Sequence, residues 1–323
     1  MAISLARAIN AALRDAMNDD DRVVVFGEDV GTLGGVFRVT DGLQKEFGET
    51  RCFDTPLAEA GIVGTAIGMA MFGLVPVVEM QFDGFSYPAM NQVICHVAKY
   101  RNRTRSTVSL PLVIRIPYGG GIGAVEHHSE SPEAYFAHTA GLTVVVPSSP
   151  SDAYALLRAS IASPEPVVYL EPKGRYWSTQ DLASLSADVP IGKAAVRHQG
   201  SDVSLIAYGP AVRVALEAAE AARDEGMHLE VIDLRTLAPM DFDTVVESVR
   251  RTGRAIVVHE ASRFLGPGAE IAAQISERAF EHLHAPVLRV AGFDVPYPPA
   301  KLERWFLPDA DRVLDAVDRV MGW

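Results

Sequence analysis

The chain has 323 residues, 48% of them hydrophobic and 22% charged, a balance that fills sizeable cores and excludes disorder as a description of the whole. Its 29 basic and 41 acidic residues leave a net charge of -12. That argues against nucleic acid or an anionic membrane as main partner, because both reward clustered Lys and Arg. At ~100–200 residues per domain the length predicts two domains. The two cysteines, Cys52 and Cys95, make no disulfide framework and suit a reducing, cytoplasmic setting.

The N-terminal stretch does not read as a secretory or other targeting signal, since Arg7 and Arg14 interrupt any apolar run. It predicts a first helix with Leu5, Ile9, Ala12, Leu13 and Met17 inward. Runs at 23–26, 75–82, 112–116, 144–146 and 167–170 are apolar on both faces, as buried parallel strands are. Helices are expected between them at 57–73, 86–101 and 151–163, the last behind the cap-rich Ser149-Pro150-Ser151-Asp152. Residues 60–78 carry no charge and approach the ~20 that cross a bilayer. Gly61, Gly64, Gly68, Gly73 and Pro76 interrupt them, so a helix buried on all sides and a following strand are expected instead.

Residues 172–200 are polar and broken by Pro172 and Pro190, which places a domain boundary between 185 and 186. The alternation then restarts, with strands at 203–208, 229–233, 255–259 and 287–290 and helices at 211–225, 241–252, 267–283 and 309–321. The fold class is α/β, with a smaller, mainly parallel second domain.

Within Asp54-Thr55-Pro56-Leu57-Ala58-Glu59, Thr55 can cap a helix and Pro56 suits its first position. Glu59 then complements the helix dipole, or enters a mostly apolar setting where a carboxyl keeps its proton or finds a partner. Gly61, Gly64 and Gly68 allow close approach, by tight helix packing or by a ligand. Gly119-Gly120-Gly121-Ile122-Gly123-Ala124 imitates a dinucleotide fingerprint, but no apolar helix follows and no acid lies about twenty residues on, so a flexible loop is expected. Glu126-His127-His128-Ser129-Glu130 lacks the spacing of a zinc site, and one histidine beside a glycine loop suits acid or hydrogen-bond chemistry better. Neither a G-x-S-x-G elbow nor a Walker loop occurs. Lys99, Arg101, Arg103 and Arg105 read as a solvated helix end, and Phe82, Phe85 and Tyr87 as core.

Several long segments together resemble one family. VVVFGEDVGTLGGVFRVTDGLQKEFG, FDTPLAEAGIVGTAIGMAMFGLVPVVEMQFDGFSYPAMNQV, HHSESPEAYFAHTAGLTVVVPSSPSDAYALL and PVVYLEPK resemble the β subunit of thiamine-diphosphate-dependent 2-oxo acid dehydrogenases. DVSLIAYGPAV, VIDLRTLAPMD and VVHEA are similar to a transketolase C-terminal domain. The resemblance implies a pyrimidine-binding thiamine-diphosphate domain over 1–185 and a transketolase-like domain over 186–323. It implies an α2β2 heterotetramer with the cofactor between α and β, and transfer of the acyl group to a lipoyl-bearing acyltransferase. The family's G-D-G motif for magnesium diphosphate is absent, since Asp41-Gly42 and Asp83-Gly84 each lack the leading glycine. The α subunit would therefore bring the magnesium and phosphate end.

By position, Glu59 matches the family's cofactor-activating glutamate, a carboxyl that donates to the aminopyrimidine ring. Phe85, Leu57 and Gln81 fall where the cofactor pocket is lined, and His128 matches the active-site histidine. A structural potassium ion is implied near Leu112, Ser160, Ile161, Ser163 and Glu165, although Ser163 and Glu165 stand where Asp and Asn are more usual. EMQFDGFSYPAMNQV, KYRNR and HHSESPEAYFAH look closer to the branched-chain type than to the pyruvate or acetoin type. The rival readings are a non-catalytic scaffold, which has no need of Glu59 and His128, and a self-sufficient transketolase-like enzyme, which would carry G-D-G.

Overall fold

A computed structural model describes residues 2–181 and 189–323. The expected boundary at 185/186 lies outside the described residues. Ser4 caps the first helix, Leu5–Asp19, by accepting the N–H of Arg7, and the predicted stripe Leu5, Ile9, Ala12, Leu13 and Met17 is buried. A seven-stranded sheet runs in the order 236–238, 143–145, 167–172, 113–118, 75–79, 23–27, 52–54. All its pairings are parallel except 236–238 with 143–145. From Val23–Gly27 the chain moves to one side to form Cys52–Asp54, then returns to form Val75–Glu79 on the other. The strand order reverses there, and such a reversal opens a crevice at the carboxyl ends of the strands.

Two cores cover the sheet. One holds the first helix and Pro150–Ala162. The other holds Ile62, Val63 and Ala66 and continues into Ile206, Ile232, Val245 and Ile271 of the second half. A five-stranded sheet, 288–292, 255–262, 203–207, 229–233, 195–198, forms that half and is parallel apart from its 195–198 edge. The second half also lends the strand Thr236–Ala238 to the first sheet, so the two halves share one sheet and one core.

Three expectations change. The helix Glu59–Met71 begins four residues after Thr55, with Ala58 at its cap position. It is buried on one face only: Ile62, Val63, Ala66 and Ala70 are inside, while Gly61, Thr65, Gly68 and Met71 are exposed and Phe72 is 89% exposed. Its apolar composition marks an uncovered face, not all-round burial. Among the described residues, no helix is long and apolar enough to cross a membrane. The helix expected at 86–101 is a broken run: a 3-10 turn Asp83–Ala89, a π turn Gln92–His96, a 3-10 turn Val97–Lys99 and an α turn Tyr100–Arg103. Pro88, which donates no N–H, sits in its first turn.

Candidate functional site

The strand reversal gathers the acidic residues. Glu28 and Asp29 follow Val23–Gly27, Asp54 ends its strand, and Glu59 opens the helix beyond it. Glu59 is 6% exposed. Glu28 is buried, and neither of its carboxylate oxygens has a partner in the protein. Burial, reinforced by the nearby negative Glu59 and Asp29, pushes its carboxyl up to about 7. Sequence reasoning missed Glu28; its only signal was a charge at the end of an apolar strand. Gln81 Nε2 donates to Asp29 Oδ2 at 2.7 Å, which ties the ends of two neighbouring strands. Asp54 accepts the N–H of Gly31 at 2.6 Å and fixes the next loop. Leu57 lies on the surface, 77% exposed.

The aromatic part of the site comes from two loops. Phe82 stacks on the His128 ring, centroids 3.9 Å apart and planes at 11°. Phe85 meets His128 edge-on at 5.2 Å and Phe82 edge-on at 5.9 Å. Phe82 and Phe85 are thus half-buried around the imidazole, and Tyr87 is exposed and donates to Glu130 at 2.8 Å. The core expectation for these three rings does not hold. His127 and His128 sit on a 3-10 turn, Glu126–His128, which brings their rings to 4.3 Å. His128 Nδ1 faces the His127 carbonyl at 3.0 Å, so Nε2 is the ring nitrogen not engaged by it. Gly84 is glycine for a steric reason: a Cβ there would lie 2.4 Å from the His127 carbonyl oxygen.

The glycine loop serves a different end from the nucleotide motif it imitates. The Gly120 N–H donates to Glu260 at 3.1 Å, and the Gly121 and Gly123 N–H groups donate to Glu303 at 3.0 and 3.1 Å. Tyr297 holds the same Glu303 carboxylate at 2.8 Å. Carboxylates of the second half thus fill this nest of N–H groups, where a phosphate would otherwise sit.

A flat, basic heterocycle fits the first cluster, because the unpartnered Glu28 oxygens and the buried Glu59 carboxyl can meet ring nitrogens. A diphosphate does not fit there, since Asp29 and Asp54 repel it and Glu28 and Glu59 bring no positive group to meet it. Among the described residues, no group of three or more His, Cys, Asp and Glu could hold a metal ion. At the residues expected to hold potassium, the Leu112 carbonyl accepts the Val167 N–H at 2.9 Å and the Ser160 carbonyl accepts the Ser163 N–H at 3.2 Å. Ser163 Oγ bonds the backbone of Glu165 at 3.1 Å, and the Glu165 carboxylate is ion-paired with Arg101. A guanidinium already meets the negative charge there, so the Glu165 side chain does not fit a cation. Arg101, Arg103 and Arg105 are exposed, in line with the solvated reading of the basic run, and Arg101 pairs with Glu165 from the surface.

The transketolase pyrimidine binding domain model matches residues 1–178, and the transketolase C-terminal domain model matches residues 192–313. The chain is 58% identical over 320 residues to the 3-methyl-2-oxobutanoate dehydrogenase subunit beta of Mycobacterium tuberculosis, covering 99% of this chain and 92% of that one. It is 54% identical over 321 residues to the pyruvate dehydrogenase E1 component subunit beta of Leifsonia xyli subsp. xyli, covering 99% and 95%. A split-gene transketolase solved as an inactive beta4 tetramer matches with a TM-score of 0.81 at 25% identity, over 99% of this chain and 98% of that one.

Proposed function

The chain belongs to the family of thiamine-diphosphate-dependent 2-oxo acid dehydrogenase β subunits, transketolase-like in both halves, and from that premise we propose that it binds the aminopyrimidine half of the cofactor for oxidative decarboxylation of a branched-chain 2-oxo acid. The buried pair Glu28 and Glu59 at the strand reversal carries this reading. When bound, thiamine diphosphate supplies the carbon nucleophile that adds to the keto group of the substrate. Glu59 holds a proton toward a ring nitrogen of the aminopyrimidine, in a site that excludes water and so strengthens the bond. Phe85 packs on the heterocycle. Gln81 holds Asp29 and with it the loop after Val23–Gly27. Leu57 lines the outer edge. His128, through Nε2, orients the substrate and exchanges a proton during acyl transfer to a lipoyl group.

An α subunit completes the site. The acidic cluster on this chain repels phosphates, so the magnesium and diphosphate end falls to the partner. The open face of Glu59–Met71, where Gly68 has nothing within 4 Å and Phe72 is exposed, suits that partner's close approach in an α2β2 tetramer. A lipoyl-bearing acyltransferase receives the acyl group. The Glu165 side chain is left out of any potassium site, because it pairs with Arg101.

The branched-chain choice is supported by the 58% relative, and the 54% relative supports pyruvate as the second reading. The deciding experiment purifies the chain with its α partner and compares kcat/KM for 3-methyl-2-oxobutanoate and pyruvate. A branched-chain preference of ~10-fold or more is expected, the scale that a few pocket methylenes supply. Equal or pyruvate-dominated values overturn the choice.

A further inference from the structure

The loop that carries His128 is held by a buried ion pair. Asp83 is fully buried and Lys173 is 1% exposed. Lys173 Nζ donates to Asp83 Oδ1 at 2.7 Å, while Asp83 Oδ2 accepts the Glu130 N–H at 2.9 Å. The Asp83 carbonyl accepts the Ser86 hydroxyl at 2.6 Å and closes the turn that holds Phe85. One residue therefore joins the turn of Phe85 to the turn of His128. The Lys173 ammonium also lies 5.9 Å from the centroid of Phe82, the ring on which His128 stacks. The next residue, Gly174, would meet the Gly120 carbonyl at 2.8 Å if it bore a Cβ. The Lys173–Arg175 turn thus packs closely against the glycine loop that leads to His128.

Burying two charges is costly, and an apolar pair of the same size commonly serves stability as well or better. Burial acts against both charges here, raising the Asp83 carboxyl and lowering the Lys173 amine, with their mutual attraction opposing it. An apolar pair could not accept the Glu130 N–H. We propose that Asp83 and Lys173 are positioning residues that fix the His128 imidazole for acyl transfer to the lipoyl acceptor. This rests on the role given to His128 above. Glu59 and Glu28 sit on other loops, and the Phe85 turn is closed on the Asp83 backbone carbonyl and not on its side chain, so the pair bears on the transfer step more than on the first half of the reaction.

The test uses the assembled α and β subunits and four variants: His128→Asn, Asp83→Asn, Lys173→Met and the double Asp83→Asn/Lys173→Met. The double variant leaves no uncompensated buried charge and stands in where a single variant fails to fold. Each is assayed for decarboxylation with an artificial electron acceptor and for reductive acylation of a free lipoylated domain. The expected result is a loss of about 10-fold or more in acylation for every variant, the scale of a misplaced catalytic group. For the Asp83 and Lys173 variants artificial-acceptor turnover should stay within about 3-fold of the parent, a difference of under 1 kcal/mol in barrier; for His128→Asn, whose side chain also orients the substrate, acylation alone is the readout. If His128→Asn leaves acylation intact, the role of His128 fails and this inference with it. If His128→Asn loses acylation but the pair variants keep it, or lose both activities in parallel, the inference alone is overturned.

Discussion

At Glu59 the difference between a carboxyl and an amide tests the chemistry with little change in shape. Glu59→Gln should leave the assembled enzyme folded and lower artificial-acceptor decarboxylation by ~100-fold or more, the range of a lost proton-transfer group. Near-native turnover would remove Glu59 from the chemistry. Glu28 makes a different prediction. Its carboxyl titrates at about 7, so the charge beside Glu59 changes across neutral pH, and kcat/KM should bend there. In Glu28→Gln that inflection should vanish while the others stay; an unchanged profile counts against the assignment. Glu59 was legible because it opens a long apolar segment and matches a family position. Glu28 was not, since a strand-terminal acid looks the same whether it meets solvent or, as here, a second carboxylate brought in from residue 59. Gly84 was read only for the glycine missing before Asp83, and its steric role emerges once the His127 carbonyl lies against it.

At the scale of elements, the strands and helices with clear periods came through: Val167–Pro172, Leu229–Asp233 and Pro150–Ala162 fall where apolar runs and caps placed them. Segments decided by long-range pairing did not. Thr236–Ala238 is a short strand whose partner, 143–145, lies in the other half of the chain, and no local pattern announces it. The run from Asp83 to Arg103 has helical composition, yet it breaks into 3-10 and π turns while it wraps the site. Near its end Arg101 pairs with Glu165, which bears on the expected potassium ion. A bound ion stabilises the state that binds it as its concentration rises. The melting temperature of the assembled enzyme should therefore be the same in potassium and sodium chloride of equal strength, within about 1 °C, well under the shift that 1 kcal/mol produces. A melting temperature that climbs with potassium alone would restore the ion to this site.

At the scale of the whole molecule, the two halves share a sheet, a core and buried charges. Arg197 lies 2.8 Å from Asp233 and is also paired with Asp152 across the junction, and Arg235 reaches Asp152 at 3.0 Å. The glycine nest donates its N–H groups to Glu260 and Glu303 across the same junction. Such shared burial has a consequence for pH. Burial raises the Glu133 carboxyl to about 7, with the Tyr208 hydroxyl at 3.0 Å as its partner, and raises the Glu260 carboxyl to about 7 as well. Both start from 4.5, so between 4.5 and 7 the folded state holds up to two protons more than the unfolded one. His259, lowered by burial from 6.5 to about 4, holds one fewer over most of that window. Glu28, raised from 4.5 to about 7 as well, adds a third, and three acids against one imidazole leave a net of up to two protons bound on folding. Stability therefore falls as pH rises through this range, by at most about 2.7 kcal/mol per pH unit. Thermal melting at pH 5.5, 6.5 and 7.5 (about one unit apart, spanning that window) should show the decline. The triple variant Glu28→Gln/Glu133→Gln/Glu260→Gln should reverse it below the ordinary histidine range, because of these four groups only His259 then remains and its sign is opposite. A parent protein whose stability rises steadily over that range would mean that these carboxyls are ionised in the fold, and that the junction is held by charge rather than by shared protons.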